Sequence, residues 1–268
     1  MAIVGIGNDM EREDRIVMLA GLGDSTRVVY NALARAGLVD RVIIEESVSK
    51  RQLLERRAKK LGKVRALSQA AFARLVVPAL RIASRRRIAE LARRIDPSGA
   101  PIPDDKIVHV PSVNSDACIR ALVELRPRVV VVNGTRIIGE KLLGAVGATF
   151  INIHAGVTPR YRGCHGAYWA RAEGRPEVAG VTVHLVDKGI DTGSILGQAI
   201  VEADARDTFV TLPYLQLEAG LPVLIDVVRK AARGDVAAIP SIDGAGSKLW
   251  YHPTLGEYAK NWLKRGVR

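Results

Sequence analysis

Asn152 and His154 stand two positions apart in FINIH (150–154), and Asp191 opens a D-T-G turn further along the chain. Alternate side chains of an extended strand point to one face, so the amide and the imidazole share a side. That pairing suits acyl transfer. The amide N–H donates to an oxygen that gains negative charge, the neutral imidazole takes a proton from an attacking amine, and a nearby carboxylate orients the ring or relays protons through water. Each signal alone also has a plainer meaning: two polar residues satisfied at a sheet end, and an Asp capping its own turn. His184, in GVTVHLV (180–186), reads as a core imidazole held by a backbone group. Cys164 and His165 follow in the loop after His154. Acylation of an amine needs no covalent enzyme intermediate, so these two read as loop residues near the acceptor.

The elements that must position these residues are legible as apolar runs. The segment RIVMLAGLGDSTRVVYNALARAGL (15–38) opens with a strand at 16–20, turns through Gly21 and Gly23, and enters a helix with Asp24 or Ser25 as N-cap. Further strands are expected in DRVIIEES (40–47), KIVHV (106–110), PRVVVVNG (127–134) and GATFINIH (147–154). Strands that are apolar throughout and alternate with helices imply a parallel sheet covered on both faces. The fold class is therefore α/β, a Rossmann-like, mostly parallel sheet with helices on both faces. Ligands of such sheets sit beyond the carboxyl ends of the strands, where Asn133, Asn152 and His154 fall. After His154 the pattern changes to a β-hairpin (179–203), a long helix within 207–234 and an irregular tail with a basic, aromatic end. This divides the chain into a catalytic unit, 1–230, and a tail, 231–268.

The 268 residues are 48% hydrophobic, enough for a substantial core. The amino-terminal MAIVGIGNDMEREDR meets charged residues before any apolar region long enough for a signal peptide, and no later charge-free stretch is a continuous apolar run long enough to span a membrane. A cytoplasmic location is expected. Cys118 and Cys164 lie far apart without a C-x-x-C spacing, which supports neither a disulfide framework nor a zinc site, and no metal is expected. The net charge of +12 is concentrated in one place. Residues 50–95 hold 15 Lys or Arg against two Glu, while the remainder holds 25 basic and 26 acidic residues. This segment breaks the strand–helix rhythm and reads as an inserted set of two or more helices interrupted near Pro78. Arg74, Pro78 and Arg81 interrupt ALSQAAFARLVVPALRIA (66–83), which argues against a spanning helix but permits an amphipathic one lying in an interface. A solvated basic face, weak contact with an anionic membrane surface and contact with nucleic acid are all open at this point.

Taken together, the N-x-H pair, Pro159 and Arg162-Gly163 in the following loop, GVTVHLV and Asp191-Thr192-Gly193 resemble the folate-dependent formyltransferases, which move a formyl group from 10-formyltetrahydrofolate to an amine. The resemblance covers roughly residues 15–48 and 106–230, leaves out the basic insertion and covers the tail only loosely. It implies that Asn152, His154 and Asp191 are the catalytic trio. It also implies that Thr135, Arg136, Ile137 and Ile138 of NGTRIIG, with Val186, Asp187 and Ile190 of VDKGID, line the folate site largely through main chain, Ile137 packing on the flat ring. The glycine turn, with Gly21, Gly23, Asp24 and Ser25, would hold an acceptor phosphate through backbone amides and the helix dipole. Arg162 and Gly163 would border the acceptor. As a dinucleotide motif the turn fails, because the third glycine of G-x-G-x-x-G would fall at Thr26; a purely structural turn is the remaining alternative. The implied acceptor is the amine of a phosphorylated or nucleotide-linked molecule, with an amino sugar ahead of glycinamide ribonucleotide. The methionyl-tRNA branch carries a carboxy-terminal β-barrel, and the stretch after the last expected helix is too short for one, so no tRNA-binding domain is expected. The competing reading is a binding module with a vestigial folate site. Oligomeric state leaves no signal in the sequence.

Overall fold

The apolar runs become strands in the computed structural model, which describes residues 15–244 and 246–268. The stretch 1–14, expected to lack a signal peptide and to open the catalytic unit, lies outside the described residues. Strand β1 (Ile16–Gly21) leads through α1 (Asp24–Arg35) to β2 (Arg41–Glu45). Four helices then stand where one crossover helix would serve: α2 (Lys50–Leu61), α3 (Lys63–Ala71), α4 (Val77–Ala83) and α5 (Arg85–Ile95). Strand β3 (Ile107–Val110), α6 (Asp116–Leu125), β4 (Val129–Asn133), α7 (Glu140–Ala145) and β5 (Thr149–His154) continue the alternation. A loop carrying β6 (Arg162–Gly163) and α8 (Gly166–Ala172) precedes the hairpin of β7 (Gly180–Leu185) and β8 (Ile195–Ile200). Helix α9 (Leu212–Ala232), β9 (Leu249–Trp250) and α10 (Leu255–Arg265) follow.

The seven-stranded sheet has the order β3-β2-β1-β4-β5-β7-β8. Its first five strands are parallel, and the hairpin adds the last two antiparallel. Alternation along each strand separates two apolar layers. Val17, Leu19, Val130 and Val132 pack with Cys118, Leu122 and Leu142 of α6 and α7, whereas Met18, Val131 and Ile151 pack with Val29, Leu33 and Leu224 of α1 and α9. Asn133, Asn152 and His154 therefore come to the carboxyl edge of adjacent buried strands.

A third apolar cluster joins the insertion to the rest of the chain. Phe72 sits 1% exposed with its ring 5.0 Å from both Phe209 and Tyr258, and Leu91, Tyr168, Trp169 and Trp250 complete the cluster. Polar anchors reinforce it. The carboxylate of buried Asp96 accepts from Arg27, Asn31 and Arg35 of α1. Arg87, itself buried, forks onto Asp207 at 2.9 and 3.2 Å, a geometry that only the planar guanidinium offers. Gln69 donates to the His252 carbonyl.

Two sequence expectations change here. The insertion is not interrupted at Pro78: helix runs without a break from Lys63 to Ala83. A wide turn at Phe72–Val76, in which the Val77 N–H reaches the Phe72 carbonyl, precedes the proline and accommodates its missing N–H and bulky ring. The breaks fall instead at Gly62, with φ of 85°, and at Ser84. Nor is the tail irregular. Residues 249–250 pair in parallel with 162–163, and α10 begins with a capping box in which Thr254 and Glu257 satisfy each other's backbone N–H.

Among the described residues one helical run, Lys63–Ala83, with mean hydropathy 1.3, is long and apolar enough to cross a membrane. In this fold Ala66, Gln69 and Phe72 of that run are buried against the body, so it lies on the protein rather than apart from it.

Candidate active site

His154 ends β5 with both ring nitrogens facing acceptors. Its Nε2 lies 2.8 Å from the Tyr161 carbonyl and its Nδ1 3.3 Å from Asp191 Oδ2. A neutral imidazole has one N–H for these two partners, so a second proton, once delivered, is held from both sides. Burial keeps the His154 pKa below the ordinary imidazole value against the opposing pull of Asp191 and the Tyr161 carbonyl. Asp191 titrates below the ordinary carboxylate range. Burial pushes it up, but the neighbouring His154 and the Gly163 N–H pull it down further. The resting state is therefore a neutral imidazole beside an ionised carboxylate.

Asp191 adopts the left-handed conformation, φ 53°, a strained geometry that Asp tolerates better than most residues and that functional sites often retain. The Gly163 N–H fixes it with a 2.8 Å bond to Oδ2. Gly163 must be glycine, because its φ is 91° and a Cβ there would lie 2.3 Å from the Trp250 carbonyl oxygen. Asn152 is oriented from the other side. His184 Nδ1 donates to the Leu185 carbonyl at 2.7 Å, which leaves Nε2 as an acceptor for the Asn152 amide at 3.1 Å. The second amide hydrogen of Asn152 remains available to a ligand. His184 Nε2 also lies 3.6 Å from Asp191 Oδ1, so one imidazole touches both other groups.

These side chains open into a cavity of about 460 Å³ between the strand ends, the loop 133–138, the turn 186–191 and the first turns of α9. Of the residues expected at a folate, Thr135, Ile137, Val186, Asp187 and Ile190 line it. Ile137 is 60% exposed and available to pack on a flat ring. Ile138 also borders the cavity but is mostly a core residue, 5% exposed. Arg136 lines the wall, yet its guanidinium turns away. Its N–H and Nε engage buried Glu45, and its Nη2 donates to the Glu46 carbonyl. The backbone of the loop, held by Glu45, is what Arg136 presents to a ligand.

The expected acceptor residues divide. Ser25 and Gly163 reach the cavity, whereas Gly21, Gly23, Asp24 and Arg162 are outside its lining. A Cβ on Gly21 would fall 2.3 Å from the Gly134 carbonyl, so this glycine allows β1 and β4 to close together. Gly23 has open space around it. Arg162 donates to the Ile190 carbonyl at 3.1 Å and braces the Asp191 turn rather than projecting toward an acceptor. His184 has the backbone partner expected of a core imidazole, the Leu185 carbonyl, and also lines the cavity, whereas sequence reasoning gave no role to Pro213, Gln216 and Leu217 of α9, which line it too. The α9 residues carry no local signal, because an amphipathic helix looks the same whichever wall it forms.

Cys164 borders the cavity as a free thiol whose pKa burial raises, consistent with a loop residue rather than a nucleophile. Beside it, His165 Nε2 and His252 Nδ1 stand 2.9 Å apart. Burial, aided by the nearby Arg57 charge, lowers the His252 pKa to about 4. Between that value and the ordinary imidazole range the unfolded chain binds more protons than the folded one, so stability rises with pH across this window and is lost as pH falls. Lowering the pH from about 6.5 to about 5 is expected to cost roughly 1–2 kcal/mol at His252 alone. Thermal melts at the two pH values check this, with a flatter dependence in His252→Asn; equal dependence in the two proteins would contradict it.

Residues 105–228 match the family model described as formyl transferase. A methionyl-tRNA formyltransferase of Synechococcus sp. (strain JA-3-3Ab) is 37% identical over 105 residues, 39% of this chain and 31% of that protein. The phosphoribosylglycinamide formyltransferase of Bacillus subtilis (strain 168) is 44% identical over 77 residues, 29% of this chain and 39% of that protein. The matched region thus spans about a third of the length of these curated relatives. Among solved structures, an N-formyltransferase of Helicobacter canadensis in complex with folinic acid and dTDP-3-aminofucose superposes with a TM-score of 0.52 at 15% identity, over 87% of this chain and 70% of that one. The last is a likeness of fold.

Proposed function

From the premise that residues 105–228 are a formyl transferase domain, we propose that the protein transfers a formyl group from 10-formyltetrahydrofolate to the amine of a phosphorylated or nucleotide-linked acceptor, with an amino sugar as the favoured class. The observation that carries this reading is the convergence of Asn152, His154 and Asp191 on one cavity.

The cavity fits a folate head group in kind. Residues of segments 134–138 and 186–190 both line it, with Ile137, Val186 and Ile190 as apolar walls. Bound there, 10-formyltetrahydrofolate supplies a formyl carbon on a nitrogen that can leave. The chain's own groups then have separable tasks. Asn152, held by His184, directs an amide hydrogen at the oxygen that gains charge as the new C–N bond forms. His154 and Asp191, 3.3 Å apart, receive the proton that the amine loses, and the same pair can return a proton to the departing nitrogen. Because His154 rests neutral and Asp191 ionised, the acceptance step is ready at neutral pH and fails as His154 protonates on acidification.

For the acceptor, the start of α1 offers backbone N–H groups beside Ser25. Gly23 has φ of 177°, extended backbone that any residue adopts, and no atom lies within 4 Å of a Cβ built on it. Gly23→Val is therefore expected to fold normally and to raise the acceptor KM by about tenfold while leaving the folate KM unchanged, if a phosphate approaches this turn. An unchanged acceptor KM would remove the turn from the site. Support for an amino sugar comes from the fold likeness to a protein whose structure holds dTDP-3-aminofucose.

The binding half is tested by melting the protein with folinic acid. At about a hundredfold excess over Kd, a folate site stabilises by about 2.7 kcal/mol. No shift at millimolar ligand would overturn the folate reading and favour a vestigial site. Parallel assays with dTDP-amino sugars, glycinamide ribonucleotide and aminoacyl-tRNA then decide the acceptor class.

A further inference from the structure

We propose that the inserted helix Lys63–Ala83 is a peripheral membrane-docking surface for an anionic lipid leaflet. The helix carries two apolar stripes on opposite sides. Ala66, Gln69 and Phe72, with half-buried Val76 and Leu80, pack onto the body. Val64, Leu67, Ala71, Leu75, Pro78 and Ile82 follow one another at intervals of three or four residues and form the other. On this second stripe Val64 is 84% exposed, Leu67 59%, Leu75 63% and Ile82 65%, so its large apolar residues stand open to solvent and only Ala71 is partly covered. Large apolar residues aligned on one exposed helix face differ from the scattered single ones that ordinary surfaces carry. Helix α10, tied alongside α3 by the Arg65–Glu257 ion pair at 2.8 Å, carries exposed Trp262 and Leu263 next to Lys264 and Arg265.

Charge selects the occupant. Lys63, Arg74 and Arg81 recur on the helix itself, and Lys59, Arg85 and Arg86 extend the exposed basic surface at its two ends. The only acidic residues of segment 50–95, Glu55 and Glu90, pair with Arg51 and Arg87 respectively. A second copy of this face would bring like charges together, and a nucleic acid would answer the arginines but offer no apolar phase for Leu75 and Ile82. An anionic leaflet answers both, with headgroup charge for the basic residues and the acyl boundary for the stripe. Breadth of contact is consistent with lying flat: 21 helical residues at about 1.5 Å each give roughly 30 Å of surface.

The test is co-sedimentation of the full chain with phosphatidylcholine vesicles, with and without phosphatidylglycerol, at low and high salt. Wild type is expected to bind the anionic vesicles at low salt, to bind pure phosphatidylcholine at least tenfold more weakly, and to be released by salt. The double variant Leu75→Gln/Ile82→Gln keeps the charge and the buried face, and is expected to lose about tenfold in vesicle affinity with an unchanged melting temperature. Three results would overturn the proposal: no binding to anionic vesicles at low salt, binding that the double variant leaves intact, or a dimer in sedimentation velocity that the double variant dissolves. The second points to a generic polyanion site and the third to self-association.

Discussion

Asp191→Asn and His154→Ala are each expected to lower turnover by about a hundredfold or more at saturating acceptor, with the fold and folate binding retained. Asparagine keeps the size of Asp191 and one carbonyl oxygen for the Gly163 N–H, so the turn survives. What disappears is the negative charge 3.3 Å from His154 Nδ1, and with it the stabilisation of a proton on the ring. Loss of the imidazole removes the group that the Tyr161 carbonyl and Asp191 jointly hold. The measurement is steady-state turnover with folate and acceptor both saturating. Near-native turnover in either variant would remove that residue from the chemistry and leave it as a turn or sheet-end residue.

The second large effect is on stability. Phe72→Ala is expected to destabilise by about 3–5 kcal/mol, since it empties a fully buried aromatic site with two ring partners. In a chain of this size that corresponds to a fall in Tm of about 10 °C. Tyr258 and Phe209, the ring partners, belong to α10 and to the turn before α9, so the loss is expected to loosen both the insertion and the carboxy-terminal helix. Thermal and denaturant melts measure it. A shift below about 1 kcal/mol would mean that the insertion is held by its polar anchors, chiefly Asp96 and Arg87, rather than by the aromatic cluster.

Much of this was legible beforehand because the strands that matter are buried on both faces. Val129–Asn133 and Thr149–His154 leave runs of apolar residues that parallel sheets require. Asn152 and His154 were readable as a pair because strand geometry fixes alternate side chains to one face. The turn around Asp191 was readable from its D-T-G residues. What escaped was long-range. The backbone N–H and the guanidinium of Arg136 both meet Glu45, 91 positions away, and nothing near either residue announces the contact. Arg162 looked free to meet an acceptor until the fold placed the Ile190 carbonyl within its reach. Pro78 suggested a helix break because the widened turn just before it has no sequence signature. By contrast T-L-G-E at 254–257 is a readable helix start that a basic, aromatic context obscured.

The same long-range assembly explains why three separate stretches converge on one carboxylate. Gly163 supplies a backbone N–H, His154 and His184 supply imidazoles, and the left-handed turn at Asp191 places both of its oxygens among them. Each contact is ordinary alone. Together they hold an ionised acid, a neutral base and an oriented amide at one cavity wall.

The most direct test of that arrangement is transfer of a labelled formyl group from 10-formyltetrahydrofolate to a dTDP-amino sugar, followed for wild type and Asp191→Asn side by side. The expected result is folate-dependent formation of the N-formyl product by wild type and its near loss, by about a hundredfold or more, in the variant. Folate binding without transfer to any amine acceptor, or equal transfer by the two proteins, would contradict a formyl-transfer site built on Asn152, His154 and Asp191.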